Sequence, residues 1–355
     1  MRMLALVTDG FGATGGIAQY NRDLARALAQ SGAVESMVIV PRFGAPDQQL
    51  PAGVTQLAAL GDRFRWSAAA TRIALSRRFD GIFCGHLFAA PLAAALAALI
   101  RKPLWLQLHG IEAWPKPAGF IRRAAARASL ITSVSRHTRA AALRWCDIDP
   151  MRLRVLPNTV DPRFAPGAPP RALRRGLALE DRRVILTVSR LSSSERYKGH
   201  DRILAALPRI LARRPDAFYL VVGDGDDRGR LEALAREKQV TQSVRFAGAV
   251  SAEELPDYYR LADAFVMPSA GEGFGIAFLE ALASGLSVVA GDRDGGADAL
   301  ADGVLGALVD PRDDHPLIDA VVTALDRGAG DASLARRFAF ANFASQVDNL
   351  VRHRL

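Results

Sequence analysis

The sequence predicts an α/β protein made of two Rossmann-like parallel-sheet domains that face each other across a cleft. Three observations carry this expectation. Short apolar runs alternate with stretches of helical periodicity in two successive series. A proline-dense segment separates the series. Polar and glycine-rich loops follow the apolar runs, at the strand ends where such sheets bind ligands. The chain has 355 residues, half of them hydrophobic, enough for two cores and more than one core usually holds.

In the first series, strands are expected at Leu4–Thr8, Ser36–Val40, Gly81–Cys84, Leu104–Leu108, Leu130–Ser133 and Leu153–Leu156. The apolar start, Met1–Val7, is broken by Thr8-Asp9-Gly10 and reads as a first strand, not a secretory signal. A loop with Gly10, Gly12, Gly15 and Gly16 leads into helix Ile17–Gln30, where Ala18, Leu24, Ala25 and Leu28 recur at helical spacing. Strand Ser36–Val40 should stop at Pro41. The fourteen-residue apolar run Leu87–Ile100 is short for a membrane span and fits a buried helix. Five prolines between Leu156 and Pro170 exclude a regular helix or central strand and mark a stiff linker.

The second series repeats the rhythm. Strands are expected at Val184–Val188, Phe218–Val222, Val244–Phe246, Ala264–Met267 and Ser287–Ala290, with a further short one within Val304–Val309. Helices are expected at Asp201–Ala212, Gly229–Lys238, Glu253–Arg260 (despite Pro256), from about Gly275, and at 315–327. The expected domains are 1–165 and 166–332, followed by a helical tail, 333–355.

Charge is uneven. Residues 1–165 hold 21 Lys/Arg against 10 Asp/Glu, and the remainder 25 against 27. A basic first half implies either an anionic partner (nucleic acid, a phosphorylated substrate or an anionic membrane) or a solvated arginine-rich surface. Two cysteines, Cys84 and Cys146, define no disulfide framework and read as buried thiols. The six histidines and two cysteines show no metal-ligand spacing. No P-loop run occurs, and the early glycines have the wrong spacing for a dinucleotide fingerprint.

The most informative stretch is Pro268–Glu280. A strand ends at Pro268, a turn with Gly271, Gly273 and Gly275 follows, and a helix starts near Gly275. Strand, glycine turn and helix N-terminus make a site for a phosphate group. Glu272 in the turn would face what that phosphate carries, and Glu280 lies about one and a half turns into the helix. Arg190 and Lys198 flank another helix start; converging on a diphosphate, they would stabilise it as a leaving group. Their convergence depends on the insert Ser192–Tyr197, and the alternative is ordinary surface charge. His109, after a strand and before Gly110, is a ligand donor, a base or a satisfied buried group, with Glu112 placed to orient it. Ser135 or Ser133 reads as a helix cap and Asn158 as a turn residue, with Ser135, Asn158 and Asp298 as further candidate site residues.

These residues resemble the retaining GT-B glycosyltransferases of family 4 (glycosyltransferase group 1), including bacterial mannosyl- and glucosyltransferases. The resemblance runs along essentially the whole chain: Gly15-Gly16, His109-Gly110, Ser133-Val134-Ser135, Pro157–Asp161, Ser189-Arg190-Leu191 with Lys198-Gly199, Val222–Gly225, and Glu272 paired with Glu280. It implies transfer of a hexose from a nucleoside-diphosphate sugar. Arg190 and Lys198 would bind the donor phosphates, Glu272 the sugar and Glu280 the ribose hydroxyls. Gly273, Phe274, Gly275 and Ile276 would line the donor site. Gly16 would admit the diphosphate, and His109 would contact or position the sugar. No catalytic metal and no cofactor are implied. Asp298 stands where the family has a glutamate, Thr159 where glycine is common after Asn158, and Ser189 where glycine is common.

The resemblance of Glu195–Asp201 to mannosyltransferase-like members favours GDP-mannose as donor, with a UDP-hexose as rival. It implies a glycan or polyprenyl-diphosphate-linked glycan acceptor, used in cell-surface polysaccharide or glycolipid synthesis, and no nucleic acid. The bacterial cytoplasm is the expected location, peripheral at the cytoplasmic face of the inner membrane if Arg63–Arg78 and Trp114–Arg127 form an anionic-lipid interface. The alternative for these two stretches is a pair of ordinary amphipathic helices. A sugar-nucleotide epimerase and a non-catalytic nucleotide- or phosphoglycan-binding protein remain the other function classes. The tail after about 333 is expected to cross back to the first domain.

Overall fold

The computed structural model describes residues 1–44 and 49–355. The chain forms two compact units, one of Met1–Thr159 with Phe340–Leu355 and one of Val160–Ala339.

The first unit runs β1 (Arg2–Asp9), α1 (Gly16–Gln30), β2 (Ser36–Phe43), β3 (Val54–Gln56), α2 (Arg63–Ser76), β4 (Gly81–Cys84), α3 (Ala90–Ile100), β5 (Leu104–Leu108), α4 (Gly119–Ala126), β6 (Leu130–Ser133), α5 (Arg136–Leu143) and β7 (Leu153–Val155). All its strands pair in parallel, in the order β3-β2-β1-β4-β5-β6-β7. Strands such as Gly81–Cys84 and Leu104–Leu108, apolar but for Gln107, are buried along their whole length, as covering both sheet faces requires. Alanine-rich α3 packs into this core, with Leu99 left exposed. Both cysteines are free and buried.

Two local expectations need correction. Strand β2 does not stop at Pro41; it continues to Phe43, with Val7 paired to Pro41. Strand β3, unforeseen in the sequence, pairs with β2 only as far as Ile39, so Pro41 lies beyond the neighbour that would have needed its missing N–H. The Gln56 side chain of β3 then bridges back, accepting from the Phe11 N–H (2.8 Å) and donating to the Phe11 carbonyl (3.1 Å). It clamps the glycine loop ahead of α1.

The second unit runs α6 (Arg171–Gly176), β8 (Arg183–Val188), α7 (His200–Arg213), β9 (Ala217–Val222), α8 (Arg228–Glu237), β10 (Val244–Gly248), α9 (Leu255–Leu261), β11 (Ala264–Met267), α10 (Ile276–Ala283), β12 (Ser287–Gly291), α11 (Gly296–Ala299), β13 (Ala307–Val309) and α12 (Asp314–Arg327). Its parallel order is β10-β9-β8-β11-β12-β13. Pro256 lies in the first turn of α9, where its missing N–H costs nothing. The proline-rich segment holds no helix or strand, only the Val160–Ala339 bridge. The last helix, α13 (Phe340–Arg354), packs on α1 within the first unit.

In each sheet the strand order reverses once, between β1 and β4 and between β8 and β11. In open α/β sheets, ligands bind beside the loops that leave the carboxyl ends of the strands at such a reversal. In the second unit those loops begin at Ser189 and Pro268. Gly223, at the end of neighbouring β9, has φ +133°, and a Cβ there would lie 1.8 Å from the Ser189 carbonyl oxygen. Gly223→Ala is therefore expected to cost about 2 kcal/mol or more. A urea-unfolding midpoint equal to wild type would contradict this packing.

Candidate active site

The site in the second unit is assembled by two loops from strands that adjoin at the reversal. The first, after β8, carries Arg190 and a 3₁₀ turn, Ser193–Lys198. It is tied to the turn after β9. Asp226 accepts from the Ser193 N–H (3.0 Å) and hydroxyl (2.5 Å), and buried Asp227 accepts from Arg196 (2.9 Å) and from Arg230. The acidic run Asp224–Asp227 thus anchors the loop.

The second loop carries Glu272 and is organised by Asp294, 2% exposed. Asp294 Oδ2 accepts from the Ser269 hydroxyl (2.8 Å) and the Glu272 N–H (2.7 Å), while Oδ1 accepts from the Gly296 N–H (2.8 Å). The Glu272 carbonyl accepts from the Gly295 N–H (2.8 Å). The Glu272 backbone is therefore held at both ends. Burial pushes the Asp294 carboxyl up from its ordinary range, and its three donors pull the other way. Asp294 was not singled out in the sequence; a lone aspartate in a glycine loop announces no partner.

The two loops interlock. The Ala270 N–H donates to the Tyr197 carbonyl (2.9 Å), and Gly271 lies so close to the Tyr197 ring that a Cβ would stand 2.6 Å from it. Lys198 Nζ donates to Glu272 Oε1 at 2.6 Å, both side chains being about 13–14% exposed. Glu195 lies 3.7 Å from Lys198 and pairs with Arg190, whose side chain is 75% exposed. Arg190 and Lys198 thus converge on one carboxylate. Burial by itself would lower the Lys198 pKa, but Glu272 and Glu195 outweigh it and hold the amine charged, above its ordinary value.

Helix α10 starts at Ile276 after Gly275, which has φ +88° and no side chain to cap the helix. Its first N–H groups face the loop with no acidic residue nearby in the first turn, a setting for an anion. Gly273 sits in the turn against Gly295, and Phe274 is buried edge-on to Phe338 (5.7 Å). One turn on, Glu280 Oε2 accepts from the Tyr259 hydroxyl at 2.6 Å. Burial pushes the Glu280 carboxyl up to about 7, with Tyr259 and then Arg163 opposing. Asp298 lies half-buried on α11. Beneath the loops, buried His200 bridges Ser189 (2.8 Å) and the Tyr219 hydroxyl (2.9 Å). Burial, then the Lys198 charge, lowers its pKa to about 4.

In the first unit, α1 begins at Gly16 after Gly15, φ +99°. His109 follows β5. Its Nε2 lies 2.9 Å from the Gly85 carbonyl, which can only accept, so Nε2 carries the proton. Burial lowers its pKa to about 4 despite Glu112, so the ring is neutral at pH 7 and Nδ1 keeps a lone pair. Glu112 does not orient the imidazole: its Oε1 accepts from the His109 backbone N–H (2.6 Å). Ser135 caps α5, accepting from the Thr138 N–H at 3.1 Å. Asn158 is buried, and its Oδ1 has no hydrogen-bond partner. Among the described residues no group of three or more His, Cys, Asp and Glu is placed to hold a metal ion.

The chain is similar to known proteins. The model of the family Glycosyl transferases group 1 matches residues 171–339, and that of Glycosyltransferase Family 4 matches residues 14–164. The GDP-mannose-dependent alpha-(1-6)-phosphatidylinositol monomannoside mannosyltransferase of Mycolicibacterium smegmatis is 36% identical over 280 residues, 74% of this chain and 70% of that protein. The chain belongs to glycosyltransferase family 4. It is a nucleotide-sugar-dependent glycosyltransferase with the GT-B fold. A D-inositol 3-phosphate glycosyltransferase of Geodermatophilus obscurus is 38% identical over 214 residues, 57% of this chain and 47% of that one. In fold, Anabaena HepE in complex with UDP superposes with a TM-score of 0.80 at 20% identity, over 99% of this chain and 100% of that one. Trehalose-6-phosphate synthase OtsA gives 0.77 at 15% identity, over 99% of each.

The raised Glu280 pKa has a consequence for stability. The fold holds a proton there that the unfolded chain releases near its ordinary carboxylate pKa of 4.5. The group's contribution is complete below that value and is lost as pH rises through about 7. Glu280→Gln should therefore be more stable than wild type at pH 8, with the difference shrinking toward pH 4.5, as followed by thermal unfolding. A gap that is independent of pH would contradict the buried carboxyl.

Proposed function

We propose that this enzyme transfers a hexose, with mannose from GDP-mannose as the leading donor, and retains the anomeric configuration. The observation that carries the diphosphate assignment is the convergence of Arg190 and Lys198 on Glu195, beside the uncapped start of α10. An incoming diphosphate would draw both cations toward its oxygens, and the helix N-terminus adds partial positive charge. Glu272, held by Lys198 and by its anchored backbone, is proposed to accept a hydroxyl of the donor sugar. Glu280 is proposed to accept the ribose hydroxyls, and His109 Nδ1 to meet a sugar hydroxyl.

In the proposed step the acceptor oxygen bonds to the anomeric carbon on the face from which the diphosphate departs. The acceptor proton passes to the leaving phosphate oxygen. The developing positive charge on the sugar and negative charge on the diphosphate are stabilised by placed charges. GDP-mannose is favoured over a UDP-hexose by the mannosyltransferase relative and by the Glu195–Asp201 stretch.

The acceptor we propose is a glycan or a lipid-linked glycan. Helices α2 and α4 support a lipid surface. Each buries one face, through Trp66, Ala70 and Ile73 in α2 and Ala124 and Ala125 in α4. The opposite faces expose Phe64 beside Arg63 and Arg65, and Phe120 near Arg123. Arg42 lies over the rings of exposed Phe43 and Phe88 (5.1 and 5.6 Å) in the same unit. Aromatic rings among arginines suit the interface of an anionic bilayer. Among the described residues no helix is long and apolar enough to cross a membrane.

A panel of GDP-, UDP- and ADP-sugars, read by thermal shift and by mass detection of the transferred hexose, tests the donor. GDP-mannose should stabilise the protein most. Glu272→Ala should lower transfer by about a hundredfold or more while leaving the fold intact, and Arg190→Ala or Lys198→Ala should weaken donor use. Unchanged turnover in Glu272→Ala would remove its role. Product of altered sugar configuration from donor alone would favour an epimerase. For the surface, flotation should recover wild type with anionic but not neutral vesicles, and Phe64→Ser/Phe120→Ser should reduce recovery. Absence from both vesicle types would count against the lipid interface.

A further inference from the structure

Glu280 is held from one side only. Its Oε2 accepts from the Tyr259 hydroxyl at 2.6 Å, while Oε1 has no hydrogen bond among the described residues. Tyr259 is fully buried on α9 and cannot swing away. Its ring stands edge-on to Phe164 (5.3 Å) and lies nearly parallel to Phe265 (5.8 Å, 21°). Burial, together with the neighbouring carboxylate, raises its phenol well above the ordinary value, so the hydroxyl remains a donor at any working pH. The other charged groups facing Glu280 are Asp161 and Arg163, ahead of α6. These are committed to each other: Asp161 accepts from the Arg163 N–H (2.9 Å) and from Nε (3.1 Å). Tyr259 is thus the only group bonded to the Glu280 carboxyl among the described residues.

A vicinal diol donates two O–H groups and is met best by a carboxylate that is ionised and fixed in its plane. An ionised carboxylate offers about four acceptor positions. One hydrogen bond to Oε2 sets the plane and leaves Oε1 and the second lone pair of Oε2 open. A protonated carboxyl would lose part of that capacity, and burial favours the protonated form.

We propose that Tyr259 is a positioning residue for nucleotide recognition, fixing and ionising Glu280 through Oε2 so that its remaining acceptors meet the ribose diol. This rests on the reading of Glu280 as the ribose contact. Tyr259 itself touches no nucleotide. Its phenylalanine variant keeps the ring packing and removes only the donor.

The test uses the full chain, wild type and Tyr259→Phe, titrated calorimetrically between pH 5.5 and 8.5 with GDP and with 2′,3′-dideoxy-GDP. Wild type should bind GDP more tightly than the dideoxy analogue and gain affinity for GDP as pH rises through neutrality. Tyr259→Phe should bind GDP about tenfold more weakly at pH 7, the scale of a hydrogen bond to a charged group. Its rise in affinity should move to higher pH, while dideoxy-GDP binds both proteins equally. Glu280→Gln should abolish the difference in pH dependence between GDP and the dideoxy analogue, whose phosphates titrate alike, and this keeps the test open if the phenylalanine variant folds poorly. Equal GDP affinity and pH profile in wild type and Tyr259→Phe, with ribose preference intact, would overturn the role of Tyr259 but not that of Glu280. Equal loss for GDP and the dideoxy analogue would reduce Tyr259 to a structural part. No ribose preference in wild type would overturn the Glu280 reading and this inference with it.

Discussion

The second unit depends on one topological constraint: β8 and β11 are neighbours although several elements separate them in the chain. Parallel pairing brings Ala264 and Phe265 beside Ile185 and Leu186, so the loops leaving both strands start at the same edge. Lys198 can meet Glu272 only because of this. The β9 turn supplies the anchoring aspartates Asp226 and Asp227, and β12 leads into Asp294. Four parallel strands therefore each contribute one part of a single rim, which is what a reversal of strand order makes available.

Electrostatics at that rim alternate in sign. Arg190, Glu195, Lys198 and Glu272 form a run in which each cation already has an anion beside it. Holding Lys198 charged while mostly buried requires those carboxylates, since desolvation alone would favour the neutral amine. Asp294 does for the backbone what Lys198 does for the Glu272 side chain. A buried carboxylate with three donors is compatible with the interior, whereas an unpaired one is not. Rigidity in this turn comes from satisfied polar groups, which suits a turn rich in glycine that could otherwise take many conformations.

The first unit solves a similar problem with different parts. Gln56 clamps the loop before α1, and a buried chain of Tyr20, Gln107, Thr132 and Trp105 ties α1 to β5 and β6. The Tyr20 ring packs edge-on to both His109 and Phe343, so α13 supports the element that orients the histidine. His109 is thereby a neutral, oriented imidazole and not a cation.

Much of this was legible along the chain. Short apolar runs such as Gly81–Cys84 and Ala264–Met267, alternating with helical stretches, read as buried parallel strands, and glycine at 271, 273 and 275 between a strand and a helix reads as a turn open to an anion. Those features are local: backbone preference and burial period are written into adjacent residues. The short strand β3 was not legible, because three residues pairing with β2 have no period to display. Nor was the passage of β2 through Pro41, which depends on where β3 ends. Glu112 stands three residues after His109, yet only the folded loop decides that it takes the backbone N–H and not the ring. The same holds for Asp294 under Glu272 and Tyr259 against Glu280, each pair about twenty residues apart. The sequence alone determined the parallel-sheet class, the candidate charged residues and the resemblance that named their roles. Tertiary structure alone decided which donor meets which acceptor, because hydrogen bonds and charge pairing depend on distances that strand order, not chain order, sets.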